Sequence, residues 1–176
     1  VCVVGRARSD AGNAVDEAIT VATLPAFRPV AAGEMVATVK IIPYAVAAAP
    51  LERALAAAAA PPMRLAPYRV ARVGVVSTLL PGLKAATVAK TLRVLAERLA
   101  PTGAHIVTET RVRHEAGAVA AAVTNAVAQG AELVVVFGAS AIADRRDVIP
   151  AGLEAAGGRV EQFGMPVDPG NLLLLG

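Results

Sequence analysis

The sequence predicts an α/β fold: a three-layer domain on a mainly parallel sheet, preceded by a small β-rich subdomain. Three observations predict it. Short continuous apolar runs alternate with stretches of helical periodicity from residue 71 onward. The run "ELVVVFG" (132–138) is apolar on both faces, as strands covered on both sides are, and reads as the central strand. Hydrophobic residues make up 56% of the 176-residue chain, but aromatics only 3% and there is no Trp. A core of alanine and valine requires elements that approach closely.

Residues 1–49 form the β-rich subdomain, read as incomplete. The first dozen residues, with "GRARSDAG", read as loop or a frayed end. "AITVATL" and "EMVATVKII" read as strands joined by a turn at "AAGE". Residues 50–70 are a helical connector. "PLERALAAAAAPP" opens on a proline, holds strong helix formers and stops at a double proline, before an extended link.

Residues 71–176 carry the regular alternation. "RVGVVST" is a strand, broken by Pro81–Gly82. Val88, Leu92, Leu95 and Leu99 lie on one face of a helix, with Lys90, Arg93 and Glu97 elsewhere. "GAHIVTETRV" is the next strand. Val119, Val123 and Val127 mark a second helix ended by Gly130. After 132–138, Asp147 caps a third helix, with Pro150 in its first turn and Gly157–Gly158 at its end. "RVEQFGM" and "NLLLLG" read as the last strands, the latter joining the main sheet.

Composition also excludes function classes. Seventeen basic against fourteen acidic residues give a net charge of +3, with no basic stripe and few aromatics, so nucleic-acid binding has no support. No run approaches the ~20 apolar residues of a membrane span. "VCVVG" is too short for a signal-peptide core. A single cysteine, Cys2, excludes an intrachain disulfide framework. The expectation is a soluble, cytoplasmic protein. Mean hydropathy of +0.58 predicts an apolar patch covered by a partner subunit, hence a homo-oligomer.

In open parallel sheets ligands bind at the carboxyl ends of strands, where strand order reverses. Three loops qualify: 78–86, 138–147 and 165–171. In "GASAIADRRDVIP", Gly138, Ala139 and Ser140 leave backbone N–H groups accessible. The helix that follows favours an anion such as phosphate. Arg145 and Arg146 can pair with phosphate oxygens, and Asp144 can accept from a heterocycle. The same spacing also fits a plain strand–helix turn capped by Asp147. In "TLLPGLKAA", Gly82 permits close approach and Lys84 can meet phosphate, although GxxxxGK[ST] is absent. In "MPVDPGN", Asp168 and Asn171 flank a Pro-Gly turn and can orient a ring. No GxSxG elbow surrounds Ser77 or Ser140, and no GxGxxG follows a strand. His105 and His114 lack the spacing of metal ligands, so no metal site is expected.

Taken together, these loops resemble the molybdopterin-binding domain family of molybdenum-cofactor biosynthesis, which includes molybdopterin adenylyltransferases and molybdenum insertases. "ELVVVFGASAIADRRDVIPAGLEAAGG", "GMPVDPGNLLLLG" and "RVGVVSTLLPGLKAATVAKTLRVLAERL" carry the resemblance, over roughly residues 71–176. "GEMVATVKIIPYAV" is similar to the region before this domain in an insertase-like group, sometimes fused to a nucleotidyltransferase.

The resemblance implies a domain that binds molybdopterin or molybdenum cofactor, a pterin dithiolene with a terminal phosphate, for cofactor biosynthesis, modification or delivery. By it, Gly138, Ala139 and Ser140 line the pterin-phosphate loop, and Asp144, Arg146 and Asp147 stand at its exit. Asp168, Pro169, Gly170 and Asn171 close the other wall. It further implies another strand and a second Pro-Gly loop beyond Gly176. Mg2+ with a nucleotide, and a fused or separate nucleotidyltransferase or a molybdoenzyme as partner, are compatible with it. The chain departs from the family at Ala139, where a second glycine is usual. It departs again at "KAATVAKT", where Lys84 and Lys90 stand in a stretch that usually carries an aspartate. Whether the domain is a transferase or insertase therefore stays open beside two rivals: a non-catalytic pterin sensor or carrier, and an unrelated α/β nucleotide-binding domain.

Overall fold

The computed structural model describes residues 2–4, 13–57, 61 and 63–176. The chain divides into two compact units, Val1–Tyr68 and Arg69–Gly176.

In the first unit β1 (Cys2–Val4) is followed by the hairpin of β2 (Ile19–Thr23) and β3 (Ala37–Ile41). Then come helix α1 (Ala48–Ala57) and β4 (Met63–Leu65). β2 and β3 pair antiparallel with Val21 opposite Val39. The Asn13 amide acts as a further strand partner: it accepts from the Val21 N–H at 2.7 Å and donates to the Val21 carbonyl at 3.0 Å. Two expectations are corrected here. Cys2–Val4 are a strand rather than a frayed end, and Met63–Leu65 are its antiparallel partner rather than an extended link. Backbone pairing over a long sequence separation is invisible to local propensity. The loop expected at residues 5–12 lies outside the described residues.

The second unit is an α/β domain of three layers. Strand β5 (Arg72–Leu79), helix α2 (Ala85–Leu99) and a 3₁₀ turn (Ala100–Thr102) lead to β6 (His105–Arg113). Helix α3 (Ala116–Ala128), β7 (Leu133–Phe137) and α4 (Val148–Ala155) follow, and then the short β8 (Gln162–Phe163) and β9 (Leu174–Leu175). The three long strands are parallel in the order β6–β5–β7. β5 is therefore the centre of the sheet, and six of its eight residues are buried. Strand β7, expected at the centre, pairs on one side only among the described residues. Its burial is partial, and Leu133 is 44% exposed. An apolar run reports a strand with two apolar faces; it does not report which edges are paired. "NLLLLG" does not join the main sheet either, since β9 pairs antiparallel with β8.

On one face of the sheet Val73, Val75 and Ala104 form the core with Leu92, Leu95 and Leu99 of α2. On the other face lies α3. Its buried stripe is Val119, Ala122 and Ala126, and Val127, expected on that stripe, is 57% exposed. Alanines take the inner face because the approach is close. A Cβ on Gly74 of β5 would stand 3.0 Å from the Ala126 Cβ. The crossing of α3 and α4 is tighter still: a Cβ on Gly152 would meet Val119 Cγ1 at 2.7 Å and the Ala116 carbonyl at 3.0 Å.

The amino ends of β5 and β7 are pinned by side chains. The Glu132 carboxylate accepts from the N–H groups of Ala71 at 2.7 Å and Arg72 at 3.1 Å. The Arg72 guanidinium donates to the carbonyls of Gly130 and Gln129, the end of α3. Those backbone bonds, Ala71 first, hold the Glu132 carboxyl below the usual carboxylate range. No helix among the described residues is long and apolar enough to cross a membrane.

Two outcomes are expected. Gly152→Ala should destabilise the domain by about 1–3 kcal/mol through overpacking, despite the better helix propensity of alanine. Most of that cost should vanish in a Val119→Ala background, as urea titrations of the double-mutant cycle will show. The second concerns pH. A carboxylate whose folded pKa is depressed stabilises above its unfolded pKa, and the contribution is lost as pH falls through the folded value. Glu132→Gln should therefore lower Tm at neutral pH, and the gap to the unaltered protein should close on acidification below about 4.3.

Candidate functional site

β5 connects through α2 to β6 on one side, and β7 lies on its other side. The connections therefore diverge between β5 and β7, which makes their carboxyl ends the switch point of this sheet. Thr78, near the end of β5, has its side chain almost wholly buried at 2% exposure. Its Oγ1 accepts from the Ala139 N–H at 2.7 Å and donates to the Phe137 carbonyl at 3.3 Å. The loop that leaves β7 is thus tied to the neighbouring strand at its first turn. His114, directly after β6, is half-buried and reaches across β5. Its Nδ1 lies 2.9 Å from Thr78 Oγ1 and its Nε2 lies 2.9 Å from Ser140 Oγ. The ends of all three parallel strands meet in this chain of hydrogen bonds.

Gly138 sits where space for a side chain is tight. A Cβ there would lie 3.1 Å from the Ser140 carbonyl and 3.3 Å from Ile149 Cγ1. Among the described residues, the N–H groups of Ser140, Ala141 and Ile142 have no partner within the chain. They border an open, mainly apolar groove of about 580 Å³, lined also by Val136, Ile149 and Leu172–Leu175.

Beyond Ile142 the loop satisfies itself. The Asp147 carboxylate accepts from the N–H groups of Ala143 at 2.6 Å and Asp144 at 2.9 Å. Asp147 stands at the N-cap position of α4, as expected, but its carboxylate turns back into the loop and makes no cap bond to the helix. Asp144 and Arg146 form a bidentate pair, with both nitrogen–oxygen distances at 3.0 Å, and the Arg146 side chain is 91% exposed. The Arg146 side chain first, and its backbone N–H second, hold the Asp144 carboxyl below its usual range. Asp144 in turn raises Arg146. Arg145 lies over the Phe163 ring, 5.6 Å from its centroid.

Of the residues marked by sequence, the structure thus gathers Gly138, Ala139 and Ser140 at the groove. It places Asp144, Arg146 and Asp147 in a self-paired cluster beside them. Asn171 borders a smaller hollow of about 190 Å³ with Ile142, Ala143 and Phe163. Asp168, Pro169 and Gly170 form a turn with a cis Asp168–Pro169 bond and a φ of 116° at Gly170, and line neither cavity. Gly82 holds a φ of 89° with open space around it, the conformation of a Pro-Gly turn. Lys84 is the N-cap residue of α2 and makes no side-chain cap bond.

Sequence patterns missed Thr78 and His114. Histidine weighed as a metal ligand gives no signal here, since no group of three metal-ligating side chains exists among the described residues. The relation that matters joins residues 26, 36 and 61 positions apart.

The chain matches no protein-family model, no curated protein and no solved structure. The reading of its function therefore rests on the geometry and on the resemblance of its loops.

Asp147→Ala should free the N–H groups of Ala143 and Asp144 and cost about 1–2 kcal/mol of stability. Thermal melts will measure it, and amide exchange should accelerate at residues 143 and 144 while the N–H of Ala139 stays protected.

Proposed function

We propose that residues 71–176 form a small-molecule binding domain for a phosphate-bearing pterin, molybdopterin or molybdenum cofactor, acting in cofactor biosynthesis, modification or delivery. One observation carries the reading. At the switch point of a parallel sheet, unpartnered backbone N–H groups and the Ser140 hydroxyl border a groove large enough for a heterocycle. The N–H groups suit the phosphate, and the apolar walls suit the flat ring system.

The anion site of this proposal is narrower than the loop as a whole. Asp147 occupies the N–H groups of residues 143 and 144, and Arg146 is held by Asp144. Phosphate is thus assigned to residues 140–142. The stretch from Leu80 to Thr91 holds two lysines and no acid. That favours binding and delivery over a transfer step that needs an acidic metal ligand there. A homo-oligomer in the cytoplasm completes the proposal. Its supports are the exposed Val39, Ile42 and Tyr44 of the first unit and the single cysteine.

Calorimetric titration with molybdopterin tests the reading. Ser140→Leu should reduce affinity by about tenfold or more, the value of one charge-assisted hydrogen bond, with Tm nearly unchanged because the side chain is exposed. Arg146→Ala should change affinity by less, since an exposed guanidinium already paired to a carboxylate contributes little. A protein that ignores the pterin and binds a nucleotide would replace this reading with that of a nucleotide-binding domain.

A further inference from the structure

The Thr78–His114–Ser140 chain does something that binding does not require. A threonine hydroxyl has one proton and two lone pairs. At Thr78 the Ala139 N–H occupies one lone pair, and the proton goes to the Phe137 carbonyl. With that placement of the hydroxyl proton, His114 Nδ1 at 2.9 Å acts as the donor and the neutral ring is the Nδ1–H tautomer. Nε2 keeps its lone pair, and it faces the Ser140 hydroxyl at 2.9 Å. A serine hydroxyl donating to an imidazole whose far nitrogen is held by a third group is the arrangement that activates a nucleophile.

We propose that Ser140 is a nucleophile for acyl transfer from esters with an apolar acyl group, with His114 as its base and Thr78 as the residue that positions the ring. This goes beyond the binding reading and does not depend on it. The Ser140 proton passes to His114 Nε2 as Oγ forms a bond to the acyl carbon. The carbonyl oxygen takes the negative charge, and the unpartnered N–H groups of Ala141 and Ile142 on the same loop are its donors. The ester C–O bond breaks, and the departing alkoxide takes the proton back from Nε2, leaving acyl-Ser140 and an alcohol. Water then attacks the acyl carbon while Nε2 accepts its proton. Ser140 leaves with that proton, and the carboxylic acid is released.

The substrate class follows from the walls. Ser140 shares its groove with Val136, Ile149 and Leu172–Leu175, which suits an acyl chain. His114 also borders a second hollow, of about 470 Å³, beside Leu80, Pro81, Arg113 and Glu115. Charged residues next to the histidine are Arg113 and Glu115, and those on the loop beyond Ser140 are Asp144, Arg145, Arg146 and Asp147.

The test treats the purified chain with a fluorophosphonate probe, maps the modified residue by mass spectrometry, and follows turnover of p-nitrophenyl octanoate and acetate. Expected are a label on Ser140, its loss in Ser140→Ala, and a fall of about a hundredfold or more in labelling rate in His114→Ala. Octanoate should be turned over faster than acetate. Thr78→Ser should retain the rate, because it keeps the hydroxyl that holds Nδ1. Should His114→Ala fail to fold, His114→Gln, which keeps a polar side chain but supplies no base, decides the point with the same expected loss. An unlabelled Ser140, or labelling indifferent to replacement of His114, would overturn the proposal. Pterin titration reads the binding site separately, so either result can fail alone.

Discussion

The Thr78 side chain is almost wholly buried at the end of the central strand, and its hydroxyl has three neighbours to satisfy. A buried hydroxyl that misses its partners is costly, by about 1–3 kcal/mol. Here none is missed, and each bond fixes a different element. The bond from Ala139 sets where the loop leaves β7. The bond to Phe137 ties the last residue of β7 to β5 beyond their regular ladder. The bond between Thr78 and His114 draws the end of β6 over the top of β5. Remove the hydroxyl and three strand ends lose their common reference. The groove borders the loop so placed, and the orientation of Ser140 depends on the histidine so placed.

That arrangement needs a rigid sheet beneath it, and small residues supply the rigidity. Gly74 and Ala126 bring α3 onto β5, and Gly152 brings α4 onto α3. Close packing of this kind leaves little freedom for adjustment, because interiors are filled to crystal-like density. The amino ends of the strands are held by Glu132 and Arg72. Polar pins thus stand at both ends of β5, with an apolar interior between them. The pin at the amino end is exposed and structural. The one at the carboxyl end is buried in part and faces a cavity.

The charged stretch of residues 144–147 has an explanation that does not involve a ligand. Asp144 takes Arg146, Asp147 takes the backbone of residues 143 and 144, and Arg145 lies over Phe163. Four successive charges are largely balanced within a single turn. Their effect is to shape the loop and leave the uncharged residues 140–142 as its open part.

Sequence by itself determined the layers. Period-2 and period-3.6 patterns, the prolines and the glycines at helix ends are local properties, and local physics reads them correctly. The helices α2, α3 and α4, the strands β5, β6 and β7 and the cap position of Asp147 follow from them. Tertiary structure alone decided the order of the strands, because a continuous apolar run is the same signal for a central strand and for an edge strand. It also decided the pairing of Cys2–Val4 with Met63–Leu65, and of β9 with β8 rather than with the main sheet. At the site, glycine and small residues announced the loop, but nothing in the spacing announced His114 or Thr78. Their relation exists only because parallel strands bring their carboxyl ends to one side of the sheet, and hydrogen bonds form between neighbours in space whatever their distance along the chain.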